Sequence, residues 1–168
     1  MIYKNLSKNF LSNLILVIVI FILDRLSKIY VISMSNENSV SHIFSSKYLN
    51  ISLIWNEGIA FGLFSFEEKS LYNFLTVIIL AVILLILIMI INSNGIKKYL
   101  LIMIFSGAIG NLFDRIFYKA VPDFIDFHIG EFHWFIFNVA DIFISVGIIF
   151  MILFELIDNN KNKVYEKN

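Results

Sequence analysis

Four stretches of the chain are nearly unbroken runs of apolar residues, and most of the polar residues gather between them or in their flanks. The runs cover Leu14–Ile32, Leu71–Ile91, Tyr99–Tyr118 and Trp134–Phe154. A bilayer core about 30 Å thick takes roughly 20 residues at 1.5 Å each, so every run is long enough to cross one. The pattern predicts an all-α membrane protein with four transmembrane helices. The first run carries Asp24, Arg25 and Lys28 in its second half and no small-residue cleavage site follows it, so it reads as a retained helix rather than a signal peptide. Between the first two runs, residues 36–68 form a surface segment. Within it Tyr48–Phe64, YLNISLIWNEGIAFGLF, sets β-branched and aromatic residues around a turn-like Asn56-Glu57-Gly58, which predicts a small β-rich segment at the outer face. Lys119–His133 holds the single proline, Pro122, which disfavours helix at Val121 and predicts an ordered connection. Residues 1–168 are read as one integral membrane domain without internal repeats.

Composition supports lipid as the main solvent. Apolar residues make up 59% of the 168 positions and charged residues only 15%. The 13 basic and 13 acidic residues cancel, which argues against nucleic acid as a partner. Cysteine is absent, so disulfides, thiol nucleophiles and Cys-ligated zinc are excluded. His42, His128 and His133 show no i, i+4 pairing, so neither a metal nor another cofactor is expected, and His128 and His133 are assigned to the membrane interface.

Basic residues in the flanks set an orientation. Lys4, Lys8, Lys97, Lys98, Lys161, Lys163 and Lys167 share one side if both termini are cytoplasmic, against Lys47, Lys69 and Lys119 on the other. In that orientation Asp24 and Lys28 lie roughly 12 and 6 Å below the outer end of the first span. Asn111, Asp114 and Arg115 fall in the last two turns of the third, and Asn138 and Asp141 lie one and two turns into the fourth. An ionisable side chain inside a span costs roughly 2.5–3.5 kcal/mol, so a cluster at one depth calls for a function. Its confinement to the outer leaflet argues against a through-going ion path. Asp24 with Lys28 and Asn111 with Arg115 are spaced i, i+4, and Asn138 with Asp141 i, i+3, so each pair shares a helical face. Ser106, Gly107, Ala108 and Gly110 let a neighbouring helix approach that face closely.

Carboxylates and amides are the tools such a cluster offers. Two aspartates sharing a proton hydrolyse a peptide bond when one activates water and the other protonates the carbonyl oxygen. Asp114, Asp123, Asp126 and Asp141 are all eligible by position, and periodicity does not choose among them. Asp114, beside Arg115, is read as paired with a cation, and Asp126 as a surface or loop-ordering carboxylate. A small proton-coupled membrane transport subunit and a structural assembly subunit are the competing readings. The transport reading requires polar groups at the midplane and repeated halves, and the sequence shows neither.

Four blocks, in order, carry a resemblance. LDRLSK at Leu23–Lys28, WNEGIAFGLF at Trp55–Phe64, SGAIGNLFDR at Ser106–Arg115 with VPDFIDF at Val121–Phe127, and FNVADIFISVG at Phe137–Gly147 resemble the lipoprotein signal peptidases over nearly the whole chain. The resemblance implies an aspartic endopeptidase of the bacterial cytoplasmic (inner) membrane that cuts diacylglyceryl-modified prolipoproteins just before the lipidated cysteine. It implies Asp123 and Asp141 as catalytic residues and places Asn56, Asn111, Arg115 and Asn138 around the substrate. Asp24, Lys28 and Asp114 are then organisers of the site. Its implied partners are the prolipoprotein and membrane lipid, and a monomer is expected. Arg25 stands where the family commonly has Gln, Ser106 where Gly is common, and Pro122 where Val precedes the catalytic Asp.

Overall fold

The computed structural model describes residues 2–38, 42–58 and 68–165. In chain order the elements are α1 (Ile2–Asn38), β1 (His42–Ser45), β2 (Leu49–Asn56), α2 (Glu68–Ile91), α3 (Gly95–Tyr118), β3 (Val121–Ile129), β4 (Phe132–His133) and α4 (Val139–Tyr165). Among the described residues, three helices contain stretches long and apolar enough to cross a membrane, Tyr72–Ile91, Gly95–Tyr118 and Val139–Asp158. The fold is thus mostly helical with a small antiparallel sheet.

The distribution of side chains is inverted relative to a water-soluble bundle. On α1 the buried stripe is Ile20, Asp24, Lys28 and Val31, while Ile15, Ile18, Val19, Ile22 and Ile29 face outward. Apolar residues outside and paired charges inside are what a lipid environment selects, because hydrocarbon solvates the former and not the latter. α3 packs against each of the other helices. Its small residues make this possible: a Cβ on Gly107 would come within 2.5 Å of the Ala140 carbonyl oxygen, and one on Gly110 within 2.6 Å of Asp24 Oδ2. At the other end of the bundle, Ile90, Leu101 and Ile102 form an apolar core with Leu16, Val17, Ile86, Phe105 and Met151. The short Asn92–Asn94 connection makes α2 and α3 antiparallel neighbours.

The four strands lie in the order β1-β2-β3-β4, all antiparallel. The sheet therefore draws in the Lys119–His133 segment, which the sequence suggested only as an ordered connection. Lys119 adopts the left-handed conformation (φ 61°) that ends α3, and the chain enters β3 two residues later. Pro122 is accommodated opposite Trp55, at a point where β3 has a strand on one side only among the described residues. Among the described residues, Asn56-Glu57-Gly58 does not join two strands of the sheet. Asn56 closes β2, and its side-chain oxygen accepts from the Gly58 N–H at 2.8 Å, a local Asx turn. Residues 59–67, which include the rest of the second sequence block, lie outside the described residues.

The last apolar run differs most from its sequence reading. Helix α4 begins at Val139 rather than Trp134. The aromatic residues before it are extended, and Phe137 pairs with Ile125 through backbone hydrogen bonds of 2.8 and 3.1 Å. Asn138 is consequently the N-cap and Asp141 sits in the first turn, not one and two turns down a span.

Candidate active site

Asn138 and Asp141 satisfy each other across the start of α4. The Asp141 N–H donates to Asn138 Oδ1 at 3.2 Å, and the Asn138 N–H donates to Asp141 Oδ2 at 3.1 Å. This reciprocal box satisfies two N–H groups near the helix start. A third, from Ala140, donates to Asp24 Oδ1 at 3.1 Å, so α1 contributes to capping α4.

The capping box leaves the Asn138 amide NH2 free to point elsewhere, and it donates to Asp123 Oδ1 at 2.6 Å. From β2, the Asn56 amide NH2 donates to Asp123 Oδ2 at 2.9 Å. The Asn111 amide NH2 on α3 donates to Asp141 Oδ1 at 2.8 Å. In all three asparagines the amide oxygen is taken by a donor: Gly58 N–H for Asn56, Lys28 Nζ (2.9 Å) for Asn111, and Asp141 N–H for Asn138. A group with only protons to give thus fixes which end of each amide faces the carboxylates. Asp123 and Asp141, from different elements, are joined through Asn138 and approached by amides alone. Neither makes an ion pair among the described residues.

Asp123 is 4% exposed. Burial pushes its carboxyl above the ordinary range. The Asn56 and Asn138 hydrogen bonds oppose the shift, the neighbouring Asp141 reinforces it, and Lys28 opposes it at longer range.

Beneath this pair lies a separate charged cluster. Lys28 Nζ contacts Asp24 Oδ1 at 2.9 Å and Asp114 Oδ2 at 2.7 Å, and Arg25 bridges the same two aspartates. The Arg25–Asp114 contact involves both terminal guanidinium nitrogens. Arg25 also lies 4.9 Å from the Phe113 ring centroid, a cation–π distance. Two buried anions and two cations balance in charge, the condition under which burial is tolerated. Asp114 is therefore paired with cations as its position suggested, but with Arg25 and Lys28 from α1 rather than with its neighbour Arg115. Arg25 is the site-organising residue that sequence reasoning passed over. Its signal was a third charge beside Asp24 in a membrane-spanning run.

Arg115 donates weakly to the Asn111 carbonyl at 3.4 Å and makes no ion pair among the described residues. It stands beside Gly58. Asp126 is buried on β3, not a surface carboxylate, and ties Asn50 and His133 together across the sheet. Burial works to raise its carboxyl, but hydrogen bonds from His133 and Asn50 outweigh that and hold it below the ordinary range. Sequence spacing did not connect His128 and His133, because they meet across a β-hairpin rather than along a helix.

Asp141 also lines an apolar cavity of about 410 Å³ with Phe127, Trp134, Phe137, Ile142 and Val146. Two amide-held carboxylates, one of them lining an apolar cavity, on a bundle of apolar helices are an arrangement that suits a membrane aspartic peptidase. The comparisons specify which one. Residues 16–157 match the family model described as signal peptidase (SPase) II, and the chain belongs to that family. It is 48% identical over 161 residues to the lipoprotein signal peptidase of Pelagibacter ubique (strain HTCC1062), covering 96% of each chain. It is 36% identical over 155 residues to that of Anaplasma marginale (strain Florida), covering 92% of this chain and 89% of the relative. Among solved structures, it resembles a bacterial membrane enzyme determined by the in meso method at 2.3 Å, with a TM-score of 0.67 and 25% identity over 90% of this chain and 91% of the other.

Proposed function

We propose that this endopeptidase removes the signal peptide from diacylglyceryl-modified prolipoproteins, cutting just before the lipidated cysteine, with Asp123 and Asp141 as its catalytic pair. The observation that carries this reading is the set of three oriented asparagine amides converging on two aspartates without ion pairs, while Asp24 and Asp114 are occupied by cations and Asp126 by His133. Burial shifts Asp123 toward its protonated form, and in this reading Asp123 gives a proton to the scissile carbonyl oxygen while Asp141 takes one from the attacking water. Collapse of the tetrahedral intermediate returns a proton to the leaving amine. Asn111 and Asn138 hold the pair in position, and Asn56 and Arg115 lie at the rim where the substrate backbone passes. The apolar cavity beside Asp141 receives an apolar part of the substrate.

Four spans, with α1 as the first, fit the length of the apolar runs, and the lysine distribution supports cytoplasmic termini in the bacterial inner membrane with the site at the outer face. A single chain acting as a monomer on a lipid-anchored substrate is the reading to test. The experiment is cleavage of a diacylglyceryl-modified prolipoprotein by purified wild type, Asp123→Asn and Asp141→Asn, each shown to be folded in detergent. Loss in both folded variants supports the pair. Retained cleavage in either moves the chemistry to another carboxylate, and an inactive folded wild type overturns the substrate.

A further inference from the structure

On the opposite face of β3 from Asp123, three side chains have no place in the proteolytic chemistry. Asp126 and His128 are two residues apart on one strand and so share a face, and His133 is the cross-strand partner of His128 in β4. Their potential ligand atoms, one from each residue, all lie within 4.8 Å of one another. His133 Nδ1 stands 3.0 and 2.9 Å from the two Asp126 carboxylate oxygens. The two imidazoles stack with centroids 5.0 Å apart and planes 17° from parallel. His128 Nδ1 is buried with no hydrogen-bond partner among the described residues, so this imidazole has bonding capacity that the fold leaves unused.

We propose that Asp126, His128 and His133 form a binding site for a divalent transition-metal ion of the zinc type, separate from the catalytic pair. The donor set selects the class: two imidazoles and one carboxylate suit zinc, whereas calcium and magnesium prefer oxygen ligands throughout. The separation of two of the three ligands also suits. Ligands at about 2.0–2.2 Å around a tetrahedral ion are roughly 3.3 Å apart, close to the present separation of Asp126 and His133. His133 is 51% exposed, which leaves its side chain room to adjust and leaves a fourth position open to water. The Asn50 amide, donating to Asp126 Oδ2 at 3.2 Å, supplies the outer hydrogen bond that orients a ligating carboxylate. Bound there, the ion ties the two-residue strand β4 to β3 and steadies Trp134, the next residue, at the wall of the cavity.

The test uses the full chain, purified without a polyhistidine tag, stripped with EDTA and titrated with Zn²⁺ against a chromophoric chelator in detergent. Wild type is expected to take up one equivalent, and His128→Gln and His133→Gln to weaken binding at least tenfold, while Asp123→Asn binds as wild type does. Diethyl pyrocarbonate labelling of the wild type provides a readout that needs no variant to fold: Zn²⁺ should protect His128 and His133 and leave His42 reactive. The absence of stoichiometric uptake, uptake unchanged in folded His128→Gln and His133→Gln, loss of uptake in Asp123→Asn, or no difference in protection between His42 and the other two would each overturn the site.

Discussion

Two sets of aspartates share one hydrogen-bonded network, and their surroundings treat them oppositely. Asp24 and Asp114 are fully buried, and each touches both Arg25 and Lys28. Asp123 and Asp141 touch amides and backbone N–H groups. The first arrangement occupies its carboxylates in neutralising cations. The second leaves them able to exchange hydrogen bonds with a water and a peptide. Lys28 and Asn111 connect the two sets: Lys28 takes the Asn111 oxygen, which turns the Asn111 NH2 toward Asp141. The difference teaches that the partners of a carboxylate in this bundle decide whether it is neutralised or left with amides, and that the cation-bound set orients an amide of the other through Lys28 and Asn111.

Variants should separate the two roles. The largest expected effect is on cleavage: Asp123→Asn and Asp141→Asn should each lower the rate by about 10²–10⁴-fold, the range of a general acid or base, in an assay on modified prolipoprotein. Stability should respond differently. Because burial raises the Asp123 carboxyl, its contribution to stability is fully present below its unfolded value and is lost as pH rises through its folded value. Asp123→Asn, which does not ionise, should therefore gain in melting temperature relative to wild type as pH increases from about 4 to 7. A constant difference across that range would break the assignment of Asp123 as the proton carrier.

Lys28→Met probes the cohesive set, since it leaves Asp24 and Asp114 with Arg25 alone. Removing one partner from buried charges costs about 3–5 kcal/mol, so its thermal unfolding in detergent should shift far below that of wild type. Adding Asp114→Asn should recover part of the loss. A Lys28→Met protein that melts like wild type would make the cluster dispensable for the fold.

Asn138→Ala should lie between the sets. Loss of an N-cap costs about 0.5–2 kcal/mol, and the same change removes the amide that joins Asp123 to Asp141. Melting temperature and kcat should both fall.

The smallest effect is expected at Asp126, whose hydrogen bonds hold its carboxyl low. That stability is present above the unfolded value and is lost as pH falls through the folded one. Asp126→Asn, studied in EDTA, should therefore cost about 1 kcal/mol at neutral pH and converge on wild type in acid.

Much of the site was legible because membrane helices conceal little. In the apolar runs every charge stands out, and helical spacing alone paired Asp24 with Lys28, a contact the structure contains at 2.9 Å. The small residues around Gly107 and Gly110 likewise announced the close approach of helices. Two readings reached their limit where hydrophobicity and secondary structure part company. Trp134–Phe137 is as apolar as a helix, yet its backbone pairs with β3, and hydropathy does not distinguish the two. His128 and His133 were judged by helical spacing, which does not apply on a hairpin.

By itself the sequence determined the environment and the materials: lipid as the main solvent, polar residues gathered toward one end of the runs, no thiol, and four blocks that resemble one family. These follow from local composition and order, which need no knowledge of distant contacts. Only the tertiary structure decided how the aspartates divide. Asp114 lies 89 residues from Arg25, and Asp123 lies 67 from Asn56 and 15 from Asn138. Whether a carboxylate meets a cation or an amide depends on which helices and strands pack beside it, and no local pattern in the chain encodes that choice.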